Sequence, residues 1–310
     1  GNITVVRRPF SPEAFQGSLA FRRYFEGWYF KLVFPEEHFA LIPGISLAPD
    51  DRHAFIQVIR SGGTATTYHR FAEDRFSAAR KPFSISVGES RFSLDRLEIS
   101  LPDVELSVTL SDVVRWPRSA AAPNTMGWYA YVPFMQCNHA VLALDGRAEG
   151  VVDGTRRSGR IYVEKDFGRS FPSAWVWLQS NSFEEQGVSV TASVARVPFL
   201  GRSLTGVLAG LLVDGEVYRF ANYTGVRLET MELVPGAVRM ALRSGENVLE
   251  LHATGAPGAP LRAPVEGRMS GSVTETIDAL VSVHLSRGGS TVFAGRGTRA
   301  GFEAENAQEL

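Results

Sequence analysis

Apolar and polar residues alternate one for one through much of this chain, and no other feature restricts its fold as tightly. Leu97-Glu98-Ile99-Ser100-Leu101, Val104-Glu105-Leu106-Ser107-Val108-Thr109-Leu110 and Val248-Leu249-Glu250-Leu251-His252 each carry an apolar side chain at every second position. That is the period of an antiparallel strand with one buried face. Three Asp-Gly pairs, Asp145-Gly146, Asp153-Gly154 and Asp214-Gly215, separate apolar stretches and predict three tight hairpins, because both residues tolerate positive φ. Further turns are expected at Ser61-Gly62-Gly63, Gly88-Glu89-Ser90, Ser244-Gly245-Glu246-Asn247 and Arg287-Gly288-Gly289-Ser290,. Helical periodicity is confined to Ser11-Pro12-Glu13-Ala14-Phe15, which predicts the opening of one short helix,. The fold class is therefore all-β.

At 310 residues the chain is long for one domain, and two β units are expected. The stretch Trp116–Asn124, with its prolines and alanines, reads as an irregular connection,. The division is placed later, giving an N-terminal β unit over 1–158 and a C-terminal one over 159–310. The aromatic strand Trp175-Val176-Trp177-Leu178-Gln179-Ser180-Asn181 echoes Glu26-Gly27-Trp28-Tyr29-Phe30-Lys31-Leu32-Val33, which suggests a duplicated unit.

Charge narrows the partners. The 32 Lys and Arg nearly cancel the 33 Asp and Glu, with no run of one sign to track phosphates, so nucleic acid is not an expected partner. A single cysteine, Cys137, rules out an intrachain disulfide and a cysteine-rich zinc site,. The apolar run at Val207–Val213 is too short to cross a bilayer,. Gly1–Phe10 lacks the apolar block of a signal peptide in the sequence given,. A cytoplasmic location is the expectation; the sequence carries no signal of oligomeric state.

Large rings gather in three segments, at Trp28, Tyr29 and Phe30, at Trp128, Tyr129, Tyr131 and Phe134, and at Trp175 and Trp177. They fit either ordinary core or the wall of a cavity for an apolar molecule. Strand alternation puts Trp175, Trp177, Gln179 and Asn181 on one face, where the amides need partners. Glu164, Lys165 and Asp166 lie side by side just before that strand, either as a salt-bridged turn or as acid-base machinery. Glu26 stands beside rings in the first segment; a carboxyl buried among rings holds its proton more tightly and can serve as a general acid. The six histidines are scattered without ligand spacing, so no metal site is expected,. His139, next to Cys137 and Asn138, is the one expected to face the cavity.

Three segments together resemble the tocopherol cyclase family: Tyr24-Phe25-Glu26-Gly27-Trp28-Tyr29-Phe30, then Tyr162-Val163-Glu164-Lys165-Asp166-Phe167-Gly168-Arg169-Ser170-Phe171-Pro172 leading into the Trp175 strand, and Pro260-Leu261-Arg262-Ala263-Pro264. The resemblance implies two tandem lipocalin-like β-barrel or sandwich units. It also implies an isomerising enzyme without cofactor or metal, in which an acid protonates a prenyl double bond of a hydroquinone and the phenol oxygen captures the cation. Carried onto this chain, the acid is Glu164, with Glu26 and Asp166 in reserve. Lys165 positions the quinol oxygens or pairs with the carboxylates. Trp28, Trp175 and Trp177 offer ring faces, and Tyr29, Lys31, His139, Gln179 and Asn181 complete the substrate wall. A hydratase of the carotenoid type, a pericyclase and a non-catalytic lipid or pigment carrier are alternatives on the same fold. Substrates of this kind partition into lipid, so transient contact with a membrane surface is expected.

Overall fold

The computed structural model describes residues 11–62, 65–118, 137–199, 201–255 and 257–310. Regular structure among them is almost wholly antiparallel strand, with single turns of 3-10 helix and no α-helix. Ser11–Phe15 makes turns and bends, not the expected helix; five residues without a following amphipathic stretch cannot repay helix nucleation. No helix of the described residues is long and apolar enough to cross a membrane.

The chain divides into two compact units. The first gathers the described residues of Gly1–Arg60, Ala65–Phe171 and Leu261–Ser272; the second gathers Ser61–Thr64, Pro172–Pro260 and Val273–Leu310. The expected cut after residue 158 falls inside a strand that runs from Thr155 to Gly168, so the division lies after Phe171, and a later segment returns to the first unit.

In the first unit the strands are β1 (Phe25–Val33), β2 (His38–Ala48), β3 (Asp51–Arg60), β4 (Thr66–Phe71), β5 (Phe76–Arg80), β6 (Phe83–Val87), β7 (Ser90–Ser93), β8 (Arg96–Ser100), β9 (Glu105–Val114), β10 (Cys137–Ala143), β11 (Asp145–Val152) and β12 (Thr155–Gly168). They hydrogen-bond in the order β4-β3-β2-β1-β12-β11-β9-β8-β7-β6-β5, with β10 also on β12. Those that follow are β13 (Trp175–Ser180), β14 (Ser189–Phe199), β15 (Arg202–Val213), β16 (Glu216–Ala221), β17 (Arg227–Val234), β18 (Ala237–Ser244), β19 (Asn247–Thr254), β20 (Ala259–Val265), β21 (Arg268–Arg287) and β22 (Ser290–Glu305). Their order is β16-β15-β14-β13-β22-β21-β19-β18-β17, with β20 on β21. The two orders share one plan: the first strand, β1 or β13, pairs with the next in sequence on one side and with a closing strand, β12 or β22, on the other. The echo between the segments around Trp28 and Trp175 thus corresponds to equivalent strands.

Asp153-Gly154 and Asp214-Gly215 are tight hairpin turns with positive φ at both residues, 46° and 79° in one and 51° and 75° in the other. Asp145-Gly146 is not a turn. The chain bends at Leu144 and continues, so β10 and β11 lie in succession along the same side of β12. Gly146 is needed there for closeness: a Cβ would sit 2.9 Å from Ile161 Cγ2. Each unit has its own core. Phe30, Leu32, Leu41, Phe92, Ile161 and Val163 are among the residues of one; Val176, Leu178, Val190, Leu211 and Phe220 belong to the other.

Candidate active site

Adjacent residues of a strand point to opposite faces, and this separates the charges of β12. Ile161, Val163 and Phe167 join the core of the first unit. Tyr162, Glu164 and Asp166 stand on the other face. The expected cluster Glu164-Lys165-Asp166 is therefore no turn: it lies within a 14-residue strand, and Lys165 leaves toward the core while both carboxylates turn away from it.

On the core side Lys165 meets Glu26. Both side chains are 0% exposed, and Lys165 Nζ donates to Glu26 Oε2 at 2.5 Å and to the Ala14 carbonyl at 2.9 Å. Nζ also lies over the rings of Trp28 and Phe167, 4.6 and 5.1 Å from their centroids. Burial pushes Lys165 below the usual lysine range, and Glu26 opposes that shift,. Glu26 further accepts from Gln16 N at 2.9 Å, Gly17 N at 3.1 Å and Tyr24 Oη at 2.5 Å. Donors surround both oxygens, so no side is left for a substrate. Trp28 is fully buried in the same core, stacked near Phe76 and Phe83, with its indole N–H on the Glu13 carbonyl. Glu26, Lys165 and Trp28, expected at the site, lie in the buried core on the face opposite Glu164, because a period of two puts them there,.

On the face opposite that core three side chains converge. His139 on β10 lies directly across from Asp166, its Nδ1 2.8 Å from Asp166 Oδ1 and its Nε2 3.6 Å from Glu164 Oε2. The imidazole thus spans the two carboxylates. Tyr162 Oη donates to Glu164 Oε2 at 2.7 Å. Tyr29 stands across from Glu164 and the fully buried Lys31 across from Tyr162. The side chains of His139, Glu164 and Asp166 are 19%, 6% and 28% exposed. One imidazole nitrogen and one oxygen from each carboxylate lie within 4.8 Å of one another, so this set is also able to hold a cation.

Exposure along this face follows a pattern. The sole partly exposed residue of β1 is Gly27 and that of β2 is Ile42. Asp166 is the one partly exposed residue between Ile161 and Gly168 on β12, and on β10 only His139 and Cys137 are not buried. Gly27, Asp166 and His139 lie in one lateral row, with Ile42 diagonal to Gly27. Partly exposed residues thus run across four strands, with Asp166 among them and the buried Glu164 two positions away on the same face.

Two neighbouring elements brace the face. Gln57 on β3 accepts from Arg262 N at 2.9 Å and donates to its carbonyl at 3.0 Å, which anchors the third of the recognised segments. The Arg262 guanidinium lies 4.0 Å from the centroid of the Tyr68 ring, and Tyr68 Oη is 2.6 Å from His53 Nε2.

In the second unit Trp175, Trp177, Gln179 and Asn181 share one face of β13, as alternation requires; Val176 and Leu178 take the core face. Trp175 Nε1 donates to Glu303 at 2.9 Å. The Trp177 ring covers Gly301, whose Cβ would come within 2.4 Å of it. Gln179 Nε2 donates to Asn181 Oδ1 at 3.2 Å, and both are buried. Trp128, Tyr129, Tyr131 and Phe134 lie outside the described residues. Sequence reasoning missed Tyr162 and Gly27; a period of two counted from Glu164 and Asp166 reaches Tyr162, whereas Gly27 needs the cross-strand register.

A family model described as tocopherol cyclase-like matches residues 95–304, about two thirds of the chain. The protein belongs to the tocopherol cyclase-like family. It is similar to the probable tocopherol cyclase, chloroplastic, of Oryza sativa subsp. japonica, at 30% identity over 152 residues, 46% of this chain and 32% of the rice protein. It is also similar to the tocopherol cyclase, chloroplastic, of Zea mays, at 31% over 154 residues and the same shares. The match spans about a third of the length of these relatives. Among solved structures, CghA superposes with a TM-score of 0.57 over 99% of this chain and 95% of its own, at 11% identity. A structure of CghA with Sch210972 gives 0.53 over 91% and 88%, at 12% identity. These likenesses establish a lipocalin-like β fold for this member of the family.

Proposed function

We propose that this tocopherol cyclase-like protein closes a chroman ring on a prenylated hydroquinone or a closely related apolar substrate. Protonated Glu164 gives its proton to one alkene carbon, and the other becomes a tertiary cation. The phenol oxygen forms the C–O bond, and the phenolic proton passes to Asp166. His139, between the two carboxylates, returns a proton to Glu164. Nothing is oxidised or reduced, and the product is an isomer of the substrate.

The observation that carries this reading is the position of Glu164. It is a nearly buried carboxyl, held by Tyr162 and facing His139 beside the partly exposed Asp166, and the family model that includes it is a cyclase-like one. A water-poor setting protects a carbocation and sharpens the interaction of a fixed acid with the alkene. Folding the tail against the phenol supplies much of the remaining acceleration, since effective molarities for well-placed partners reach about 10⁵ M and above. Tyr29, across from Glu164, adds an aromatic neighbour able to stabilise the cation.

The test is incubation with a panel of prenylated hydroquinones, read by mass-resolved chromatography beside a Glu164→Gln control. An isobaric chromanol from the native protein alone is the expected result. A product heavier by one water identifies a hydratase, with water capturing the same cation, and bound but unconverted substrate identifies a carrier.

A further inference from the structure

Among the described residues nothing requires residue 27 to be glycine. Its φ lies outside the left-handed region, so any residue fits the backbone. Among the described residues space is not limiting either: a Cβ at this position would find none of their atoms nearer than the Pro43 carbonyl at 3.8 Å and Phe55 Cζ at 4.0 Å, ordinary van der Waals distances. Other glycines of the same sheet differ. A Cβ would lie 2.5 Å from the Phe55 ring at Gly44, 2.0 Å from Ser107 O at Gly150 and 2.0 Å from Val33 O at Gly159. Glycine within a strand sacrifices packing and adds entropy to the unfolded chain, so a strand position that needs neither its conformation nor its size calls for another explanation. The observations that supply one are that Gly27 is the sole partly exposed residue of β1, lies laterally beside Asp166 and has the Phe55 ring along its edge.

We infer that the missing side chain of Gly27 is the seat of the substrate's aromatic ring, and that residue 27 sets the size of head group the site accepts. A planar hydroquinone lying over the bare strand has the buried Phe55 ring, stacked on Tyr68, beneath its edge and presents its oxygens to the partly exposed Asp166 and His139. Its tail then runs past Glu164 or toward Ile42. A bare strand position with two convergent polar groups at one margin fits the few placed polar groups of a small-molecule site. The ligand class rests on the cyclase reading; the openness of the seat does not.

The inference is tested with Gly27→Ala, Gly27→Leu and Gly27→Cys, the last in a Cys137→Ser background. The probe for binding is a methylated prenyl hydroquinone in detergent, followed by quenching of intrinsic fluorescence. The expected result is that all variants keep the native melting temperature or exceed it, that Gly27→Ala changes affinity less than about threefold, and that Gly27→Leu weakens it by about tenfold or more, the cost of forcing methylenes into a filled space. Equal affinity in the native protein and Gly27→Leu overturns the inference. The cysteine variant decides the matter without the ligand. Labelling by a small methanethiosulfonate at a rate typical of an accessible thiol, slowed by added hydroquinone, supports the seat, and a folded variant that resists the reagent refutes it. Rapid labelling in a protein that binds no hydroquinone separates the two claims: the seat stands and the cyclase reading fails.

Discussion

Replacing Lys165 by Met tests whether the Glu26–Lys165 pair belongs to the framework or to the chemistry. The methionine fills the same space against Trp28 and Phe167 but removes the cation. Glu26 then remains fully buried with Gln16 N, Gly17 N and Tyr24 Oη as its partners among the described residues, and the Ala14 carbonyl loses a donor. Breaking one side of a buried ion pair costs about 3–5 kcal/mol, which for a unit of this size lowers the melting temperature by on the order of 10 °C. Removing both charges does not restore the loss here, although it often does elsewhere. A Glu26→Leu, Lys165→Met double variant orphans two backbone N–H groups and a tyrosine hydroxyl, at about 1–3 kcal/mol each. Urea unfolding followed by intrinsic fluorescence is the assay for the single and double variants. A single variant within about 1 kcal/mol of the native protein, or a double variant as stable as the native chain, refutes the structural role. A stable Lys165→Met protein that has lost all turnover would return the lysine to the site.

Gly150→Ala costs about 1–3 kcal/mol of stability, because its Cβ would lie 2.0 Å from Ser107 O,, and a melting curve beside Gly27→Ala shows the contrast. Burial holds the His53 pKa below its ordinary 6.5, so the unfolded chain binds more protons than the folded one in mildly acidic solution. Stability is then full above about pH 6.5 and falls as the pH drops toward the lowered value; His53→Gln flattens that part of the curve, and an unchanged slope contradicts the assignment. Zinc ions at micromolar concentration inhibit turnover by occupying His139, Glu164 and Asp166,, and pre-treatment with a chelator leaves the metal-free rate unchanged; a rate that collapses in chelator shows instead that a cation takes part.

Much of the fold was legible because strand alternation and turn chemistry are local. Asp153-Gly154 and Asp214-Gly215 form hairpins for the reason the sequence suggests. Asp145-Gly146 carries the same dipeptide, yet its glycine answers to Ile161 on a neighbouring strand, a contact that only the register reveals. The site was half legible for the same reason. Glu164 and Asp166 stood out as acids, and His139 was expected to face the cavity, but the side of the sheet each residue takes depends on whether the segment is a turn or a strand. Once Glu164-Lys165-Asp166 is strand, the lysine must part from its neighbours, and Glu26 and Trp28 follow it to the core. Gly27 offered no signal at all, since a missing side chain means something only against what surrounds it.

The central claim is that catalysis begins with protonation of an alkene carbon by Glu164, and running the reaction in deuterium oxide tests it most directly. Product isolated after back-exchange in ordinary water should carry a single carbon-bound deuteron in the new ring, and a Glu164→Gln protein should form none of it. Ring closure without carbon-bound deuterium, or with full incorporation in the Glu164→Gln protein, would contradict the account.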